Sequence, residues 1–312
     1  MEKNKVCFIR CYKREGDYVS DGIKKLGYQI VIPYKDTNLF RRLVREAWFR
    51  LHLPGRKLFF NKKLKNIDAD VFVIADSLMC KQFLYWIKSI HPNSRICLNY
   101  ENRVNRTFDP SVLDESLIER WSYDKDDCKT YNMKFVHAAL VDAYNFDARE
   151  KVEDKYDIVF LGRDKNRAEY LKEIENKFTN LGLRSYFYIC ADRSFLKFRN
   201  KIYKPLMPYE DYLNLLKCSK AALNIMPEGQ TSLTQREIET AFYNIKCVTN
   251  NKGVLTSNLY DKSRYFVIGV DDFKDLPSFL NEPIKPVDSK LLFKYSFENF
   301  AKTFIEDKPG EE

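Results

Sequence analysis

Arg236 and Glu239 stand three residues apart, and Ser232 stands four residues before Arg236. On a helix that spacing sets a hydroxyl, a guanidinium and a carboxylate along one face, one turn apart. A guanidinium in such a place is a forked donor for phosphate, and a carboxylate one turn further along can accept two hydrogen bonds from a ribose diol. The residues that must hold them are present: Ile238, Ala241, Phe242 and Ile245 follow the i, i+3, i+4, i+7 spacing and make the other face apolar. Ser232-Leu-Thr-Gln235 has the form of a capping box, and Thr234-Gln-Arg-Glu237 is a competing box two residues on. Before it, the apolar run Ala221–Met226 reads as a buried strand or the start of a buried helix, broken by Pro227, Glu228 and Gly229, and Lys246–Thr249 reads as a strand that follows. A helix start behind a strand and a glycine-containing loop offers amides and a positive dipole end to an anion. The plainer alternative is an ordinary strand-helix-strand unit in which Arg236 and Glu239 form a surface ion pair.

Further candidates lie at strand ends. The strand at Asp157–Leu161 runs into Gly162-Arg163-Asp164-Lys165-Asn166-Arg167, where Gly162 lets the backbone approach a ligand and Arg163 or Arg167 can meet a diphosphate. A solvated basic turn is the alternative. In the first half, the strand Val71–Ala75 ends in Asp76-Ser77, and Arg95–Asn99 ends in Tyr100-Glu101-Asn102-Arg103. Parallel α/β sheets bind ligands beyond the carboxyl ends of their strands. Asp76, Glu101 and Arg103 therefore stand where a cleft carboxylate or phosphate clamp belongs, and Asp76 and Glu101, with Glu15 or Asp17 behind them, are the candidate bases should a reaction there need one, although each could instead cap a helix or pair with a neighbour. His52, His91 and His137 are the only histidines and none has a partner at metal-ligand spacing, so no metal site or cofactor is predicted. The absence of Gly-x-Gly-x-x-Gly and of a Walker lysine argues against dinucleotide oxidoreductases and P-loop enzymes.

The alternation of short apolar runs with amphipathic helices implies an α/β architecture with parallel sheets. At 312 residues the chain accommodates two domains. The polar stretch 143–156 separates them, giving an N-terminal domain over 1–148 and a C-terminal domain over 149–312. The last helix, expected over Ser289–Ile305, carries Phe293, Phe297, Phe300 and Phe304, so it must dock on an apolar surface, with the N-terminal domain as a candidate. Eight scattered cysteines, no long apolar run and no leader-like start predict a cytoplasmic protein with free thiols.

The order strand, loop, Arg-x-x-Glu, apolar face, strand resembles the C-terminal domain of GT-B glycosyltransferases, especially the CgeB-like bacterial branch. Asp157–Arg163 is similar to the first strand and loop of that domain, so the resemblance covers about a third of the chain. It implies two Rossmann-like domains facing a cleft and metal-independent transfer of a sugar from a nucleotide-sugar donor. The implied acceptor is a glycan or lipid-linked molecule of bacterial surface polysaccharide synthesis. Glu239 maps onto the glutamate that holds the donor's ribose, and Pro208 and Tyr209 fall where the nucleotide base is contacted. Many GT-B enzymes carry a second glutamate eight residues earlier, where this chain has Thr231.

The formal net charge is +9, and residues 40–65 hold nine Lys or Arg against the single acid Glu46. Aromatic and aliphatic residues interleave with them, and Pro54-Gly55 splits the segment. A basic amphipathic helix pair of this kind suits an anionic membrane surface, with Arg41, Arg42, Arg45, Trp48 and Arg50 as the contact residues and a peripheral position at the inner membrane face. The alternatives are a solvated face whose cationic stems cover core aromatics, or a non-catalytic basic protein that binds nucleic acid or an anionic surface. Nucleic acid is not the expected partner, because the aromatics lie on amphipathic helices or in strands.

Overall fold

The apolar runs become the strands of two parallel sheets. The computed structural model describes residues 5–10, 18–35, 38–76, 81–138, 152–191, 202–226 and 232–310. The readings made at Glu15, Asp17, Ser77, Pro227, Glu228, Gly229 and Thr231 lie outside those residues, as does most of the stretch 143–156. The chain divides into one unit of Met1–Val141 with Phe297–Glu312 and a second of Asp142–Ser296.

The first unit contains β1 (Val6–Ile9), α1 (Tyr18–Lys25), β2 (Gln29–Val31), α2 (Leu39–Arg50), β3 (Val71–Ala75), α3 (Lys81–Ile90), β4 (Arg95–Tyr100), β5 (Glu119–Ser122), α4 (Lys125–Tyr131) and β6 (Lys134–Phe135). Its strands lie in the order β2-β1-β3-β4-β5-β6, paired in parallel. Alternate residues serve opposite faces: Phe72, Ile74, Ile96 and Leu98 pack with Phe83, Leu84 and Ile87 of α3, while Val71, Val73, Cys97 and Trp121 build a second core. Burial on both sides is why these strands read as continuous apolar runs rather than alternating ones.

The segment expected to form a pair of basic helices forms one. After α2 come 3-10 turns at Arg56–Phe59 and Lys62–Asn66, because Gly55 takes a left-handed φ of 78° after Pro54 and Asn61 caps the second turn.

The second unit contains β7 (Tyr156–Arg163), α5 (Ala168–Asn180), β8 (Ser185–Cys190), β9 (Tyr203–Lys204), α6 (Tyr209–Lys217), β10 (Ser219–Asn224), α7 (Gln235–Phe242), β11 (Lys246–Thr249), β12 (Tyr265–Val267), α8 (Leu276–Asn281) and α9 (Ser289–Lys294). The strand order is β12-β11-β10-β7-β8-β9, again parallel. Ile158, Phe160, Ala221 and Leu223 face α5 and α8, and Val159, Leu161 and Ala222 face α6.

The last helix is broken. Residue Tyr295 closes α9 by donating its amide to Leu292 and Phe293, Ser296 is buried, and α10 (Phe297–Glu306) begins anew. Its Phe297, Phe300, Ala301 and Phe304 complete the second core of the first unit, against Val6, Phe8 and Trp121. A charge network fixes its end: Arg95 forks onto Glu119 at 2.6 and 2.8 Å, bonds the Phe304 carbonyl, and reaches Asp307 at 2.8 Å. Lys134 bridges Glu119 and Asp307 from the other side. Burial alone would raise the Glu119 carboxyl, but Arg95 and Lys134 bring it down to about 2.

Candidate functional site

The candidate donor site of the second unit is built at the carboxyl ends of β7 and β10 and at the start of α7. Of the two capping boxes, Thr234-x-x-Glu237 forms: Thr234 receives the Glu237 amide and Glu237 receives the Thr234 amide at 2.7 Å. Ser232 is therefore not the cap; it is buried ahead of the helix, where its carbonyl accepts from Asn251. Glu237 is fully buried and also accepts from Thr249 and Asn251, each at 3.1 Å, while burial pushes its carboxyl up. The start of α7 thus already holds an acidic group. Any anion at this site must be met mainly by side chains.

Glu239 lies one turn on and is 3% exposed. Its Oε1 accepts from the Tyr209 hydroxyl at 2.8 Å and the Gln235 amide at 2.9 Å, and its Oε2 accepts from the Tyr212 hydroxyl. Burial raises its carboxyl, opposed by Tyr212, Arg236, Tyr209 and Gln235. Tyr209 therefore contributes its hydroxyl to this carboxylate, while Pro208 is the exposed N-cap of α6. The surface ion pair of Arg236 and Glu239, the plainer alternative in the sequence, does not form. Arg236 instead donates to the carbonyls of Leu223 and Leu161, joining the ends of β10 and β7, and lies over the rings of Phe160 and Tyr212.

Arg167 does similar work, donating to the carbonyls of Ile225, Arg163 and Asp164 beside the same Phe160 ring. Of the three expected phosphate-clamp arginines, two are thus largely engaged with backbone. Arg163 is half-buried and has no ion-pair partner among the described residues. At Gly162 an added Cβ would meet only ordinary contacts, the nearest being the Phe160 ring at 3.5 Å, so nothing within the protein demands glycine there. Sequence reasoning missed Asp164, which is buried, caps α5 by accepting from the Arg167 and Ala168 amides, and binds the Tyr203 hydroxyl. Its place just before an amphipathic helix was the available signal.

In the first unit, Asp76 follows β3 and donates its amide to Asn99 of β4 at 2.9 Å. Its side chain is 3% exposed, and neither carboxyl oxygen has a partner at hydrogen-bonding geometry among the described residues. Burial and then the nearby Glu101 charge raise it to about 7; the amides of Glu101 and Asn102 and the Asn102 side chain approach closely enough to pull it part of the way back. Glu101, the other candidate, is paired with Arg10 through both oxygens, the outer contact at 3.1 Å. Arg10, just past β1, was not anticipated.

The residues assigned to a membrane surface separate. Arg45 is 2% exposed, with its guanidinium 4.2 Å over the Tyr34 ring, so it belongs to the core and contacts no surface. Arg42 pairs with Glu46, and the Trp48 indole donates to the Pro54 carbonyl while packing on Phe59. Arg41 and Arg50 remain exposed. Among the described residues no cluster of three metal-ligating side chains occurs, and no helix is long and apolar enough to cross a membrane.

No protein-family model matches the chain, and no curated protein matches its sequence. Solved structures do match. AviGT4, a glycosyltransferase involved in avilamycin A biosynthesis, superposes with a TM-score of 0.59 at 13% identity, over 96% of this chain and 96% of its own. HepE of Anabaena, in complex with UDP and glucose, superposes with a TM-score of 0.50 at 9% identity, over 97% of this chain and 98% of its own. The likeness is one of fold: two Rossmann-like α/β units of GT-B type.

Proposed function

We propose that this protein is a glycosyltransferase of the CgeB-like kind, taking a sugar from a nucleotide diphosphate donor and passing it to a glycan or lipid-linked acceptor in surface polysaccharide synthesis. The observation that carries the reading is the end of β7 and β10, where Arg167 and Arg236 bond strand-end carbonyls beside the Phe160 ring, Arg163 closes β7, and Arg236 stands one helical turn before the buried carboxylate of Glu239. The fold it shares with AviGT4 supports the same reading.

Arg163 receives the diphosphate first, since its donors are uncommitted, while Arg167 and Arg236 hold the strand ends and add positive charge. In transfer the acceptor oxygen bonds to the anomeric carbon as the bond from that carbon to the β-phosphate oxygen breaks. The electron pair leaves on the diphosphate. The guanidiniums stabilise that charge, work that a metal ion does in other sugar transferases. Glu239 takes the ribose hydroxyls in exchange for the Gln235 amide or the Tyr209 hydroxyl that now bond it. Asp76 accepts the acceptor hydroxyl's proton in an inverting transfer, since its carboxyl lies near neutrality and is held by no ion pair, whereas Glu101 is tied to Arg10. Calorimetric titration with UDP, GDP and their sugar conjugates, with chelator present, tests the reading. Binding of none of them would overturn it.

A further inference from the structure

The polarity of α2 is inverted. Arg45 points into the core, flanked by Arg42 with Glu46 and by Phe49. Outward stand Phe40 at 73% exposure, Leu43 at 55% and Val44 at 37%, with Ala47 also exposed and Leu51 at 69% just past the helix. At roughly 100° per residue these five positions fall on one stripe, with Arg41 on one flank and Arg50 on the other. The adjoining turn adds Leu58, 74% exposed, and Lys57, and the next turn adds Lys62, Lys63 and Lys65, all exposed. None of Arg41, Arg50, Lys57, Lys62, Lys63 and Lys65 has an ion-pair partner among the described residues. A soluble face would present the charges and hide the aliphatics.

We infer that this face docks on an anionic lipid surface, with Phe40, Leu43, Val44 and Leu51 entering the acyl boundary and the surrounding cations meeting headgroup phosphates. Charge selects this occupant. A second copy of the chain would bring the same unpaired cations against their own kind, whereas an anionic bilayer supplies both the apolar depth and the opposite charge. The stripe differs from the arginine-based contact that the sequence suggests, because Arg45 is withdrawn and the aliphatic residues lead. The inference does not rest on sugar transfer.

Co-sedimentation of the full chain with phosphatidylglycerol–phosphatidylcholine vesicles and with pure phosphatidylcholine vesicles, without donor, tests it. The parent should pellet with the first and not the second. Phe40→Ser with Leu43→Ser, and separately Arg41→Gln with Arg50→Gln, should each lower binding at least about ten-fold. Both pairs are exposed, so circular dichroism and melting temperature should match the parent, which separates lost docking from lost folding. Raising salt should weaken parent binding. The proposal is overturned if the parent does not pellet, if it pellets equally with both vesicles, or if either pair binds as the parent does. It is equally overturned if the parent is a dimer that ignores vesicles and becomes monomeric in Phe40→Ser with Leu43→Ser, since the occupant is then a second copy.

Discussion

Replacing Asp76 by Asn should make the protein more stable at alkaline pH and inactive. A carboxyl moved from its ordinary 3.8 to about 7 carries a charging penalty of about 4 kcal/mol, an upper value because neighbouring groups relax. About 2–4 kcal/mol is therefore expected in solution. The sign follows from proton binding. The folded state holds this proton more tightly than the unfolded state, so no penalty exists below about 3.8, it grows as the pH rises, and it is complete above about 7. Asn keeps the shape and cannot ionise. Urea unfolding at about pH 8.5 should thus show Asp76→Asn more stable than the parent by about 2–4 kcal/mol, with the two converging near pH 4. Transfer should fall by about two to four orders of magnitude, the usual scale for a lost general base, while nucleoside diphosphate binding survives. Identical pH dependence of unfolding in parent and variant would refute the assignment of a buried, poorly solvated carboxylate. An active, more stable variant would leave that assignment standing and remove Asp76 from the chemistry.

Glu239→Ala should weaken nucleoside diphosphate binding by about 1.5–3 kcal/mol, the scale of a charge-assisted hydrogen bond, and equal affinity by calorimetry would remove the ribose role. Arg163→Gln should weaken binding of a nucleoside diphosphate far more than of the bare nucleoside without moving the melting temperature. Arg236→Gln, which strips donors from the Leu223 and Leu161 carbonyls, should instead cost about 1–3 kcal/mol of stability. If both arginine variants melt as the parent does, the strand-joining account of Arg236 fails. Gly162→Ala should melt as the parent does, because its Cβ meets the Phe160 ring at 3.5 Å, and should still impair diphosphate binding; unchanged binding would show that no ligand approaches that backbone. Glu119, lowered to about 2, stabilises the fold above its ordinary 4.5, and that contribution is lost as pH falls through about 2. Glu119→Gln should cost about 1–3 kcal/mol at neutral pH after allowance for its partial exposure, with the gap closing in acid; a gap independent of pH would point to packing instead.

The parallel sheets were legible because strands buried on both faces are apolar throughout, and α7 was legible from the spacing of Ile238, Ala241 and Phe242. Side-chain-to-backbone bonds were not. Arg236 and Arg167 look like free cations in sequence because every carbonyl is equivalent there, and only the fold brings those of Leu161, Leu223 and Ile225 within reach. Overlapping capping boxes were indistinguishable for the same reason: Thr234 prevails over Ser232 because Thr249 and Asn251, distant in sequence, complete the shell of Glu237. The inversion of α2 was hidden because composition says that arginines and aliphatics alternate and not which of them Tyr34 will receive.

The helix that covers Val6, Phe8 and Trp121 is made after the whole second unit. During synthesis one apolar face of the first sheet must wait, without α10, while roughly 150 further residues are added. At about 5–20 residues per second that wait lasts on the order of 10–30 s. The nascent first unit thus leaves that face uncovered by α10 over the interval, and the second unit, continuous in sequence, is free to fold before the first is closed. Slowing translation within 142–296 should raise aggregation of the nascent chain through this face, and supplying the segment 297–310 in trans should suppress it.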